Sequence, residues 1–290
     1  MANNEINEKK TSEKRRVDCP NEINEAFYEG FRRMDFDLFF TIMYKLRADN
    51  NCFPKFEAKI PFDEIKKIIG GDEKERPWRT NEEFNRKLPQ ICKKILSSGI
   101  VPVHDRQGSG AICLYTECVA NQAKEYVKVR INPNSVKYFK NNLFAEKILY
   151  TPIDLNRFVK IKGRYAKTIY RLLLQYRTSD KPYLLTYDLF RRILDVPETY
   201  KYINILQKVI NPAIEEILSV DERIKNLRCI TLRASGPKSA ITGFEFIFDW
   251  CPGHGKDVIR TQESHDEPDI EENEDDESDM FSVPEELPFS

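Results

Sequence analysis

Amide and amine side chains stand close together in the stretch YKYINILQKVINPAIEEILS, residues 200–219, which has helical periodicity. Asn204 and Gln207 carry amides, which can form two hydrogen bonds to the edge of an adenine base. Lys201 and Lys208 carry amines, which can reach a guanine or a phosphate group. The chemistry that these residues offer is hydrogen bonding to base edges and neutralisation of phosphates.

The helix that must hold these side chains contains a proline. Ile203, Leu206 and Ile210 follow the i, i+3, i+7 spacing of an apolar helix face, so we expect them to point toward a core. Pro212 lacks the amide hydrogen that a helix interior requires. It either kinks the helix or stands in the first turn of a restarted one, where proline is tolerated. The acidic pair 215–216 is expected to lie away from phosphates, next to the connection that follows.

Two further groups of basic side chains accompany this helix. Lys160, Lys162 and Arg164 lead into the preceding amphipathic helix, and the turn RASGPKSA between two β-like runs holds Arg233 and Lys238. Side chains at such positions typically contact the phosphate backbone, which fixes the register of a protein on a duplex. Both groups are therefore predicted to bind phosphates.

An earlier helix, TNEEFNRKLPQICKKILSSG, offers a weaker version of the same surface. It begins with the capping-box pair Thr80 and Glu83 and ends at Gly99. The polar and basic residues of its leading end are Arg79, Asn81, Asn85, Arg86 and Lys87. Because Glu82 and Glu83 dilute this positive surface, we expect the earlier helix to be the weaker DNA reader.

The order of the predicted elements repeats along the chain. PFDEIKKIIG (61–70) aligns with TYDLFRRILD (186–195), and PQICKKILS (89–97) aligns with PAIEEILS (212–219). In each half these segments follow an apolar helix and precede β-like runs. A helix, a short strand, a helix, a longer helix and a two-stranded wing form the winged-helix variant of helix-turn-helix. The sequence therefore predicts a helix-rich α+β protein with two tandem winged-helix domains and small β-wings.

Composition suggests four segments: a disordered arm (1–23), a winged-helix domain (24–144), a second one (145–252) and a disordered acidic tail (253–290). The 290 residues carry a formal net charge of -1. Residues 263–290 hold 13 Asp or Glu and no Lys or Arg, which leaves 46 Lys or Arg against 34 Asp or Glu in the remainder. A basic body of this kind suits a polyanionic partner.

Export and membrane insertion are not indicated. No apolar run approaches the roughly 20 residues that a membrane helix needs. The N-terminal stretch MANNEINEKKTSEKRR lacks the apolar region of a signal peptide, so a cytoplasmic protein is expected. Seven scattered cysteines without an export signal are predicted to be reduced thiols.

Catalytic motifs are not found in the sequence. The histidines are His104, His254 and His265. They are too far apart to form the His-hydrophobe-His pair that holds the metal of a rolling-circle nickase. No Gly-x-x-x-x-Gly-Lys-Ser/Thr phosphate loop is present. Cys113 and Cys118, and CPGH at 251–254, lack the two close pairs of a structural zinc site. The prediction is a binding protein with no enzymatic activity, no cofactor and no metal.

The acidic tail ends in VPEELPFS. One interpretation is a solubilising segment that competes with nucleic acid for the basic body. The other is a partner peptide, because acidic residues closed by Leu287, Pro288 and Phe289 are similar to the acidic tip of bacterial single-strand-binding proteins. Ser290 departs from that pattern, which ends at phenylalanine.

The second half resembles the iteron-binding plasmid replication initiator family, of the RepB, RepE and Pi type. The motifs that carry the resemblance are IYRLLLQY, FRRILDV, PETYKY and VINPAIEEI, which stand in the family's order. They lie within residues 145–220, and with the internal repeat the resemblance spans about residues 25–250.

The resemblance implies tandem winged helices, of which the first mediates dimerisation and auxiliary DNA contact and the second is the main reader of repeated origin sites. It also implies a homodimer in equilibrium with a monomer, repression of the initiator's own gene, and recruitment of host replication proteins. A transcriptional repressor on the same fold, without a role in initiation, is the alternative.

Overall fold

The computed structural model describes residues 15–48, 56–70, 76–105, 108–140, 148–179, 182–235 and 240–252. They belong to one compact unit that ends at Pro252. The predicted tail, 253–290, and residues 1–14 of the predicted arm lie outside the described residues. Within the described ranges, no helix is both long enough and apolar enough to cross a membrane.

Short strands and helices alternate along the chain. In order they are β1 (Arg16–Pro20), α1 (Asn21–Asn24), α2 (Arg33–Ala48), β2 (Glu57–Pro61), α3 (Phe62–Ile69), α4 (Asn81–Ser98), β3 (Ile100–Asp105), β4 (Gly108–Cys113), β5 (Tyr115–Asn121), β6 (Tyr126–Ile131), a 3-10 helix (Pro133–Phe139), β7 (Tyr150–Asp154), α5 (Leu155–Phe158), α6 (Arg164–Gln175), β8 (Tyr183–Thr186), α7 (Tyr187–Ile193), α8 (Tyr202–Ile205), a π-helical turn (Leu206–Ile210), α9 (Asn211–Val220), β9 (Ile224–Arg233) and β10 (Ile241–Trp250).

Two three-stranded antiparallel sheets have the same topology. The first has the order β2-β6-β5 and the second the order β8-β10-β9. In each half a helix precedes the first strand, a short helix follows it, and a longer helical segment leads to the two-stranded wing. Phe62 and Tyr187, which the sequence repeat aligns, are the first residues of α3 and α7. The predicted α+β fold with tandem winged helices is confirmed.

An additional hairpin distinguishes the first winged helix from the second. β3 and β4 pair from Ile100 with Cys113 to Asp105 with Gly108, between α4 and the wing. The β-like run AICLYTECVA is therefore divided between two sheets. The division falls at Leu114, which is buried and whose N–H donates to the carbonyl of Gly99 at 2.6 Å.

The segment just before the first winged helix is ordered where a disordered arm was predicted. β1 pairs antiparallel with β7, from Arg16 with Asp154 to Pro20 with Tyr150. Val17 and Cys19 are fully buried. The prediction of a disordered arm over 1–23 is therefore wrong for residues 16–23, because the polar stretch RVDCP is stabilised by a strand that lies more than a hundred residues away.

The two winged helices share a core between α2 and α6. The Phe40 and Phe158 rings pack edge to face, with centroids 4.7 Å apart. The Lys167 ammonium donates to Asp37 Oδ1 at 2.5 Å and to the carbonyl oxygen of Phe158 at 2.6 Å, and both charged side chains are fully buried. Burial raises the pKa of Asp37 to about 6 although Lys167 lies beside it, and burial lowers the pKa of Lys167. A desolvated ion pair therefore connects the two halves.

Candidate nucleic-acid interface

The loop before α8 is held by a single guanidinium. Arg191 of α7 donates from Nη1 to the carbonyl of Tyr200 at 2.9 Å and from Nη2 to the carbonyl of Pro197 at 2.7 Å. Because arginine presents several donors in a rigid planar fork, these bonds fix the direction in which the chain enters the helix. Arg191 was not among the residues predicted from the sequence to form the site. The Tyr-rich turn PETYKY, whose backbone carbonyls it binds, was the sequence feature that could have pointed to it.

The first turn of α8 is capped by its own polar side chain. Lys201 is extended (φ -75°, ψ 166°), and its N–H donates to Asn204 Oδ1 at 3.2 Å. This bond satisfies one of the backbone donors that a helix start leaves without a partner. Asn204, which was predicted to contact DNA, therefore also has a structural role.

The buried side of the helical segment differs in part from the predicted one. Ile210 is buried as expected and Leu206 is half-buried, but Ile203 is 52% exposed, so its predicted core position is wrong. The core side is instead formed by Ile205 and Val209, both fully buried. Residues four apart drift around a regular α-helix, and the wider π-helical turn keeps this row directed at the core.

The opposite side of the leading end presents the predicted polar groups. Lys201, Gln207 and Lys208 are exposed. The Lys208 ammonium lies 5.3 Å from the centroid of the Tyr200 ring, a distance typical of a cation–π contact. The leading end therefore offers a hydrogen-bonding amide and two positive charges on its solvent side.

Pro212 stands in the first turn of α9, and a π-helical turn leads to it. The N–H of Asn211 donates to the carbonyl of Leu206, five residues earlier. The segment is thus helical without interruption from Tyr202 to Val220, and the π-helical turn accommodates Pro212 within it. Its sequence counterpart Pro89 lies inside the continuous helix α4, so the two copies accommodate proline differently.

The acidic end of the segment has a specific partner. The Glu216 carboxylate accepts hydrogen bonds from the backbone N–H groups of Lys162 and Gly163, at the start of α6. A carboxylate near the first N–H groups of a helix stabilises it through hydrogen bonding and through the helix dipole. Glu216 therefore caps α6 and holds the basic loop before it against α9.

The loop before α6 contains side chains of two kinds. Lys160 and Lys162 are exposed. Arg164 is half-buried and donates to Asp195 Oδ2 at 3.0 Å and to the Asp195 carbonyl at 2.9 Å. Asp195 Oδ2 also accepts from the N–H of Gly30 at 3.1 Å. Arg164 is thus part of a contact between the two winged helices, whereas the two lysines face solvent.

The wing is connected to the helix by an aromatic side chain. The hydroxyl groups of Tyr202 and Thr231 are 2.9 Å apart. Arg233, which is exposed at the end of β9, lies over the Tyr202 ring at 5.3 Å. Lys238, the other predicted wing residue, lies outside the described residues. Tyr202 was not selected from the sequence, and it fixes the orientation of the wing relative to α8.

In the first winged helix, the predicted residues at the start of α4 make more contacts with their neighbours in sequence than those at the start of α8 do. Thr80 accepts from the N–H of Glu83 at 3.2 Å, as predicted, while the Glu83 carboxylate accepts from the N–H of Arg79 at 2.7 Å. Lys87 pairs with Glu83 at 2.6 Å and donates to the Pro77 carbonyl at 3.3 Å. The exposed residues of the predicted set are Arg79, Asn81 and Arg86, whereas Asn85 and Lys87 are half-buried.

A metal centre is not evident in the part of the chain that the structure describes. Within those residues, no group of three or more His, Cys, Asp or Glu side chains is arranged to hold an ion. His254 and His265 lie outside the described ranges, as does the predicted partner peptide of Leu287, Pro288 and Phe289.

Comparison with known proteins identifies the family. The description "Initiator Replication protein, WH1" matches residues 16–174, and "Initiator Rep protein, WH2" matches residues 186–248. The chain is 23% identical over 237 residues to a probable replication protein of Bifidobacterium longum (strain NCC 2705), covering 80% of this chain and 72% of that protein. A crystal structure of the Pi initiator protein in complex with iteron DNA has the same fold, with a TM-score of 0.55 and 15% identity over 81% of this chain and 98% of the other.

These matches define a winged-helix protein of replication initiation. The chain belongs to the initiator replication protein family, since the first match alone covers more than half of it. It is accordingly a plasmid replication initiator that acts through DNA binding.

Proposed function

We propose that this initiator recognises repeated sites in origin DNA by inserting the helical segment from α8 to α9 into the major groove. The observation that carries the proposal is the exposed side of its leading end, where Lys201, Gln207 and Lys208 lie beside a wing that Tyr202 holds in place. The major groove is about 12 Å wide and admits an α-helix.

Phosphate binding is assigned to groups on either side of this helix. Lys160 and Lys162 are exposed on a loop that Glu216 ties to α9, and Arg233 is exposed at the base of the wing. Contacts of this kind supply affinity and orientation but no sequence information. The structural neighbour in complex with iteron DNA supports the proposal at the level of the fold.

The first winged helix is proposed to mediate dimerisation, as the family resemblance implies, and to make only auxiliary DNA contacts, because the exposed basic groups of α4 stand among acidic ones. We further propose a homodimer in equilibrium with a monomer, repression of the initiator's own gene, recruitment of host replication proteins, a cytoplasmic location and no catalytic step. The family resemblance supports the dimerisation, the repression and the recruitment of host proteins.

The test uses the full-length chain and a supercoiled plasmid that carries its gene with the flanking DNA. Nuclease footprinting is expected to protect several direct repeats, and permanganate is expected to detect unpaired thymines beside them. Protection of one isolated palindrome without strand opening would favour the repressor. A nicked circle formed in magnesium would show a catalytic step and contradict the proposal.

A further inference from the structure

An aliphatic side chain lies among the polar groups of the leading end of α8. Ile203 is 52% exposed and precedes Gln207 by four residues, so both side chains face the same way. The core side of this segment is already filled by Ile205, Val209 and Ile210, all buried. Packing within the chain therefore does not account for an isoleucine at position 203.

The first winged helix has no corresponding side chain at the start of its longer helix. Among residues 81–87, all of which are described, the exposed side chains are polar: Asn81, Glu82 and Arg86. The one large apolar residue there, Phe84, is fully buried. The exposed aliphatic group is thus a property of the second copy, which is the proposed reader of the DNA sequence.

The chemistry of the major groove offers one partner for such a group. Among the four bases, only thymine presents a methyl group there. Isoleucine is branched at Cβ and strongly prefers one χ1 rotamer in a helix, so it loses little side-chain freedom when a contact forms. A rigid methyl-bearing side chain therefore suits a thymine better than a phosphate or an amide edge.

We propose that Ile203 is a specificity-determining residue that selects a thymine by packing against its C5-methyl group. This inference rests on the proposed function, in which α8 enters the major groove. Loss of one buried methyl group is expected to weaken binding about fourfold, which corresponds to about 0.8 kcal/mol.

The experiment removes methyl groups from the DNA and from the protein in turn. The full-length chain first selects its preferred duplex from a randomised library. Each thymine of that duplex is then replaced singly by deoxyuridine, which removes only the methyl group. Fluorescence anisotropy gives the Kd of each duplex for the unaltered chain, Ile203→Ala, Ile203→Val and the control Leu218→Ala. Leu218 is 40% exposed on α9, beyond the leading end.

We expect one thymine at which deoxyuridine raises the Kd of the unaltered chain about fourfold. The same penalty is expected in Leu218→Ala and in Ile203→Val, and it should vanish in Ile203→Ala. If each deoxyuridine replacement raises the Kd of Ile203→Ala as much as that of the unaltered chain, the inference is overturned while the proposed function stays in place. Equal loss of affinity for every duplex, including a scrambled one, would also overturn it. Failure of the library to yield any preferred duplex would overturn both.

Discussion

Replacing Lys167 by methionine should destabilise the whole unit, because it leaves a carboxylate buried between the two winged helices. Asp37 and Lys167 are both fully buried, and the next cation, Arg33, has its Nε 3.8 Å from Asp37 Oδ2. Removal of one partner from a buried ion pair typically costs about 3–5 kcal/mol. A protein's free energy of unfolding is about 5–15 kcal/mol, so this loss is a large part of the total.

The stability that Lys167→Met loses should increase with pH. The folded-state pKa of Asp37, about 6, lies above its ordinary value because the side chain is buried. The folded protein therefore binds more protons than the unfolded chain between these values, and stability falls as the pH rises through them. In Lys167→Met the pKa of Asp37 should rise further, because the attraction of the ammonium is lost. The penalty of the variant should consequently grow as the pH rises above about 6.

Urea unfolding at pH 5 and pH 8 measures these effects. The double variant Asp37→Leu/Lys167→Met should recover most of the stability that Lys167→Met loses, because apolar groups replace both charges. Lys45→Met is the matched control: its ion pair with Glu64 is partly exposed, so its loss should cost less than about 1 kcal/mol. If Lys167→Met unfolds like the control at both pH values, the reasoning about a buried pair is refuted.

The remaining predictions concern the interface and its support. Lys208→Ala should weaken DNA binding by about 1–3 kcal/mol if the lysine reads a base, and an unchanged gel-shift affinity would remove it from the site. Lys162→Ala should weaken binding equally for all DNA sequences. It should also reduce the magnitude of the slope of log K against log salt by about 1, which titrations at several salt concentrations would measure. Glu216→Ala should lower the free energy of unfolding by about 1 kcal/mol in urea through loss of the α6 cap, whereas Glu215→Ala should not. Deletion of residues 263–290 should leave the affinity for DNA equal or higher. A large loss of affinity, measured by fluorescence anisotropy, would contradict a tail that repels DNA.

Local and periodic features were predictable from the sequence. The repeat aligned Phe62 with Tyr187, which are the first residues of α3 and α7, and the capping pair placed the start of α4 after Thr80. These features depend on residues a few positions apart, for which propensity and spacing are direct evidence. The fold class followed from their order.

Features that depend on distant partners were not predictable. The strand Arg16–Pro20 forms only because β7 pairs with it, and Glu216 becomes a cap only because the start of α6 is folded against α9. Ile203 is exposed although Ile210, seven residues later, is buried, and the proline in the sequence did not reveal that a π-helical turn would precede it. Each of these is a consequence of tertiary packing, which overrides local preference.

The central claim is that the leading end of the second winged helix reads the DNA sequence, and a specificity ratio tests it most directly. The ratio is the Kd for a scrambled duplex divided by the Kd for the selected duplex, measured by anisotropy at one salt concentration. Gln207→Ala should lower this ratio by the equivalent of about 1–3 kcal/mol and leave the Kd for the scrambled duplex unchanged. Arg86→Ala, on α4, should leave the ratio nearly unchanged. A ratio that is preserved in Gln207→Ala and lost in Arg86→Ala would place sequence reading in the first winged helix and contradict the account.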